Sequence, residues 1–99
     1  MSFIPDLWCH VKASAPHEPS AEYYVAIGRE DWAEDGNNLV IKVQMEYRNA
    51  EGERCREVRK APSYPLESPD FLNVLKAIDK LKEEYYKGRR DCDITDMLM

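Results

Sequence analysis

Leu39-Val40-Ile41-Lys42-Val43-Gln44-Met45-Glu46-Tyr47 is the stretch on which the fold turns. Leu39, Ile41, Val43, Met45 and Tyr47 alternate with Val40, Lys42, Gln44 and Glu46, a period of two that predicts a strand with one packed face and one mostly wet face. Asn49-Ala50-Glu51-Gly52 follows as a hairpin turn, with Gly52 suited to a positive φ. Symmetric pairing about that turn sets Tyr47 opposite Arg54, Met45 opposite Arg56, Val43 opposite Val58 and Ile41 opposite Lys60. The two valines then meet on the core face. Arg54, Arg56 and Lys60 would share that face, their methylenes covering its apolar margin while their charges stay wet, and a bulge in this strand would reverse the assignment.

Upstream, Tyr23, Val25 and Ile27 alternate with Tyr24, Ala26 and Gly28 as a second strand, and Leu7, Cys9, Val11 and Ala13 line one side of a third. Pro16 and Pro19 place a loop between those two. Downstream, Ala61-Pro62-Ser63-Tyr64-Pro65-Leu66 leaves the sheet as an extended linker, because its prolines remove donors and disfavour helix before them. Ser68-Pro69 opens a helix, serine at the N-cap and proline at the first helical position, with Asp70 near its positive end. Phe71, Val74, Leu75, Ile78, Leu81 and Tyr85 recur at steps of three and four and form one apolar stripe to about Lys87, where Gly88 ends the helix. A period-two face and a period-3.6 stripe can bury each other. The expected fold is therefore α+β, a three- or four-stranded mainly antiparallel sheet packed with one long C-terminal helix from Ser68 to Lys87.

Ninety-nine residues, 43% of them hydrophobic and ten aromatic, make one small domain spanning 1–99 and exclude the large catalytic architectures. Segments 1–20 and 89–99 are expected to be flexible or interface-forming ends. The net charge is −5. Residues 21–38 carry −4 and residues 39–60 carry +2, so only the central hairpin would attract an anionic partner. Cys9, Cys55 and Cys92 are odd in number and far apart, which fits a reducing compartment better than a disulfide framework. No stretch approaches the 18 or so apolar residues of a membrane span. The expected location is the cytoplasm, or the nucleus in a cell that has one.

Motifs for catalysis are lacking: the chain has no glycine-rich phosphate loop, no paired-histidine metal helix and no nucleophile elbow. Cys9, His10 and His17 have metal-ligand chemistry, but adjacent strand residues point to opposite faces, and a buried cysteine beside ordinary histidines explains them. The acidic run Glu30-Asp31-Trp32-Ala33-Glu34-Asp35-Gly36 places Ala33 and Lys42 where a calcium loop needs oxygen ligands, so it is a solvated turn. Asp91 and Asp93 lie close in sequence without forming an acid–base pair. Neither cofactor nor metal is expected, and no catalytic residue is assigned.

Residues 39–53, then Arg59-Lys60-Ala61-Pro62-Ser63-Tyr64-Pro65-Leu66, then Phe71 through Leu81 form a strand, an acidic-glycine turn, a basic extended segment and an amphipathic helix. In this order they resemble the single-stranded-DNA-binding domain of transcriptional positive cofactor four over about half the chain. The resemblance implies a curved four-stranded sheet followed by a helix, dimerisation through the helices, and nucleic-acid binding on exposed sheet surface with Lys42, Arg59 and Lys60 as the basic contacts. Independently of it, a positive strip beside aromatics such as Trp8, Tyr24, Tyr47 and Tyr64 combines phosphate attraction with base stacking. The expectation is a small non-enzymatic binding domain, a homodimer, whose partner is single-stranded nucleic acid or another protein.

Overall fold

The computed structural model describes residues 2–32 and 37–98. Strands β1 (Phe3–Lys12), β2 (Glu22–Asp31) and β3 (Asn37–Arg48) are long and pair antiparallel in chain order. A short β4 (Arg54–Glu57) pairs antiparallel with the far end of β3. After the helix α1 (Asp70–Tyr86), a two-residue β5 (Cys92–Asp93) lies parallel to β1, followed by a 3-10 turn over Thr95–Leu98. The sheet is therefore mixed and five-stranded, in the order β4-β3-β2-β1-β5. The expected strand count was too low, and the helix is not the last element. Cys92 and Asp93 were missed because two residues carry no periodicity.

The core lies on the side of the sheet that the helix covers. Leu7, Cys9 and Val11 of β1, Tyr23, Val25 and Ile27 of β2, and Met45 of β3 meet Val74, Ala77 and Leu81 of α1, with Ile94 closing one side. Burial pushes the Cys9 thiol up to about 12, with the charge of Asp93 adding to it, so Cys9 packs as a small apolar group. The helix is seated over β1 and β2. That seat turns its stripe away from the expected line: Ala77 is buried, whereas Phe71 and Leu75 are exposed on the flank towards β3.

The helix begins one residue later than expected: Pro69, not Ser68, is the N-cap, without a side-chain capping bond, and Asp70 is the first helical residue, while Ser68 Oγ accepts from Asp70 N at 3.2 Å. Asp70 is fully buried and accepts from Ser14 N (2.8 Å), Ser14 Oγ (2.6 Å) and Tyr23 Oη (2.7 Å), joining the helix start to β2 and to the loop after β1. At the other end Gly88, at φ 97°, donates to Tyr85 O while Arg89 N donates to Glu84 O, the paired bonds of a left-handed C-terminal cap.

Pro5 pairs with Gly28 and Leu7 with Ile27, so Asp6 is the extra residue of a β-bulge. A side chain at Gly28 would lie within 2.8 Å of Pro5 Cα, which explains glycine there. The bulge also turns the Asp6 carbonyl to Asp91 N at 2.5 Å, fastening the segment after the helix to β1.

The β3–β4 hairpin departs from the expected register by one residue. Asn49 N donates to Glu53 O, Gly52 N to Asn49 O, and Gly52 has φ 79°, a three-residue loop with glycine in the left-handed position. Tyr47 consequently faces Cys55, Glu46 faces Arg56 and Arg48 faces Arg54. Arg54 and Arg56 therefore leave the core face and join Glu46 on the other side, because a one-residue slip exchanges the two faces of a strand. Val58 lies beyond β4 and is 66% exposed, so it does not meet Val43 in the core.

Candidate functional site

The three basic residues expected to contact nucleic acid do not form one surface. Lys42 lies on the face opposite the helix, with Nζ 2.5 Å from Glu30 Oε2 and 5.3 Å from the centre of the Phe3 ring. The Lys42 bond is the main reason the Glu30 carboxyl is held below its usual range. Arg59 and Lys60 are exposed in the segment that leaves β4, and Lys60 Nζ is 3.7 Å from Glu57. Lys60 also lines a cavity of about 290 Å³ with His17, Met45, Tyr47 and Ser63 on the helix side. Glu30 and Trp32 of the acidic run bond each other, Nε1 to Oε1 at 2.8 Å, and residues 33–36 lie outside the described residues.

Cys9, His10 and His17 are also kept apart. Cys9 is in the core, His10 is on the opposite face, and His17 Nε2 is 2.7 Å from Ser63 O. Among the described residues no group of three His, Cys, Asp or Glu side chains is placed to hold a metal ion.

The helix-free face instead carries a polar row contributed by every strand. Glu46, only 2% exposed, lies 2.9 Å from His10 Nε2, 3.1 Å from Arg54 Nη1 and 2.6 Å from Arg56 Nη2. On its other side His10 Nδ1 is 2.9 Å from Asp93 Oδ2. Arg56 stacks on Tyr24 at 3.7 Å. Burial works against ionisation of Asp93, yet hydrogen bonds from Thr95 Oγ1 and N, with His10 nearby, hold its carboxyl below the usual range. Both imidazole nitrogens are thus engaged, and Arg54 Nη1 stands a further 2.7 Å from Nε2. The row acts as a clamp that holds β4 and β5 to the long strands. Sequence reasoning missed it because it depends on the β3–β4 register and on a strand of two residues.

A different arrangement lies at the edge of β3. The ladder to β4 stops at Met45 and Glu57, leaving Asn37–Gln44 without a neighbour on that side among the described residues. Asn49 N bonds across to Glu53 O, and antiparallel pairing alternates, so Val43, Ile41 and Leu39 also direct their N–H and C=O groups away from β2. The far side of the sheet agrees: Ala13 N donates to Ala21 O, which puts Val25, the partner of Val43, in hydrogen-bonding register with β1 rather than with β3.

Side chains at the same positions floor a groove. Leu39 and Ile41, 55% and 41% exposed, line with Ile27, Tyr85, Tyr86 and Lys82 a mostly apolar groove of about 270 Å³ between β3 and the end of α1. Tyr86 is 77% exposed, and Leu75 and Phe71 continue the apolar flank along the helix. The groove exists because α1 is seated over β1 and β2 and leaves this part of β3 uncovered. Period two had marked Leu39 and Ile41 as core.

Comparison of the chain with protein-family models, with characterised proteins and with solved structures finds no match.

Proposed function

We propose that the chain is a small non-enzymatic protein-binding domain that takes an extended segment of its partner along the open edge of β3. One observation carries this reading: the backbone groups free to add a strand and the apolar side chains free to grip it belong to the same residues, Leu39 and Ile41, with Tyr86 beside them. Strand addition draws affinity from main-chain bonds and specificity from pockets for alternate side chains, and this edge offers both. An open edge bordered by exposed apolar side chains is otherwise a liability that proteins blunt with charge, proline or a covering element.

The reading is tested by selecting binders from a library of nine-residue peptides displayed against the whole protein. Selected peptides are expected to alternate large apolar with polar residues and to shift the amide signals of Leu39, Ile41 and Val43. Failure to select any, or selection of peptides that leave those amides unmoved, would overturn it.

Single-stranded nucleic acid ranks second. In its favour, Arg59 and Lys60 are adjacent and exposed. Against it, Lys42 is paired with Glu30 and both Arg54 and Arg56 are turned onto Glu46, so these cations do not form one free basic strip. Labelled oligo-dT titrated into the wild type and into Arg59→Ala with Lys60→Ala measures this directly. Saturable binding that the double variant abolishes would move nucleic acid to first place.

A further inference from the structure

Resting on the reading of β3 as the binding edge, we infer that its partner is a second copy of this chain, joined antiparallel through β3 to make one continuous ten-stranded sheet. The open segment has fixed limits. At one end it stops where Glu57 pairs with Met45, and at the other at Asn37, the first residue of β3, which pairs with Asp31. A strand of about seven residues fits between these limits. It must offer edge-directed backbone groups and alternate apolar side chains on the helix side. Residues 37–43 of a second copy meet that specification.

Placing a two-fold axis beside Val40 sets Leu39 opposite Ile41 of the other copy and residue 37 opposite Val43. All of these positions direct their backbone groups outward, so each pair can exchange both N–H···O bonds. An axis displaced by one residue towards Ile41 brings the incoming residue 37 against Met45, which Glu57 already occupies.

The helix side closes under the same operation. Strands stand about 4.8 Å apart, so helices seated over β1 and β2 of each copy lie roughly 19 Å from one another. Helix cylinders are about 10–12 Å across with their side chains, which leaves a trough roughly 8 Å wide over the four facing residues Leu39 and Ile41. Tyr86 borders that floor and is largely exposed. A tyrosine from each side fills the trough, and Lys82 of one copy comes to the Tyr86 ring of the other as a cation–π partner. A stable interface buries about 800 Å² per partner, more than a strand edge alone supplies, so this contact at the helix ends is a required part of it.

Sedimentation equilibrium of the whole protein over a concentration series, with two edge variants, tests the inference. Ile41→Pro removes an outward N–H that the monomer does not use, and Ile41→Lys places a charge on the apolar floor. The wild type is expected to dimerise and each variant to dimerise at least tenfold more weakly with an unchanged circular dichroism spectrum. A wild type that stays monomeric at the highest concentration, or a dimer that both variants leave intact, overturns the inference. If both variants unfold, amide exchange of wild-type Leu39, Ile41 and Val43 decides: protection that rises with concentration supports the β3 dimer, and protection independent of concentration sinks it. A monomer that nevertheless selects strand-like peptides fails this inference alone and leaves the wider proposal standing.

Discussion

Asp70 shows how much one side chain can hold together in a domain this small. Burial by itself would raise its pKa, but bonds from Ser14 Oγ and N, Tyr23 and Ser68 outweigh that and leave the carboxyl below its usual value. Burial raises the Tyr23 hydroxyl, and its bond to Asp70 raises it further. A depressed carboxylate stabilises the fold fully above its unfolded pKa of about 4, and that contribution is lost as the pH falls through the lower folded value. Asp70→Asn is expected to flatten the acid limb of the stability curve below about pH 4 in urea titrations. Asp70→Ala, which leaves buried donors without an acceptor, is expected to cost about 3 kcal/mol at neutral pH by the same measurement. The sequence placed Asp70 correctly at the helix start, but its burial was not legible, since Ser14 and Tyr23 are more than forty residues away. Glu46 was hidden for the same reason: alternation marks it as wet, and only the assembled β1 and β4 supply the partners that bury it.

Elements were far more legible than their facing. The alternations in β1, β2 and β3 and the three-and-four spacing of α1 all correspond to real elements, because each pattern is local and strong. What failed was rotation and register. Gly52 was correctly assigned a positive φ, yet counting its loop as four residues rather than three put Arg54 and Arg56 on the wrong face. In α1 the regular stripe hid its own middle, since alanine carries little periodic signal and Ala77 marks the buried line more truly than Phe71 or Leu75. The rotation has a direct test. Leu81→Ala, at a fully buried position, is expected to lower unfolding free energy by about 3 kcal/mol. Leu75→Ala, on the exposed flank, is expected to cost less than about 1 kcal/mol in the same denaturant titrations.

At the scale of the whole molecule, the net charge of −5 separates the two binding readings by sign. Two copies repel one another at low ionic strength, so added salt is expected to tighten the β3 dimer by screening that repulsion, as sedimentation at two salt concentrations will show. Binding of oligo-dT through Arg59 and Lys60 is expected to weaken under the same change, because it releases counterions from the nucleic acid. Salt thus distinguishes the readings with a single variable. The sheet order adds a consequence in time. Leu7 pairs with Cys92, and β1 keeps one bare flank until that late segment arrives. At about 5–20 residues per second, a ribosome needs roughly 4–17 s to travel from one to the other. Throughout that interval the nascent chain carries two long open margins, β1 and β3, whereas in the finished sheet Cys92 and Asp93 cover β1 at Leu7 and Trp8. Assembly of two chains still under synthesis would therefore be free to begin at the wrong margin, and emergence of Cys92 and Asp93 narrows that choice by covering the middle of β1.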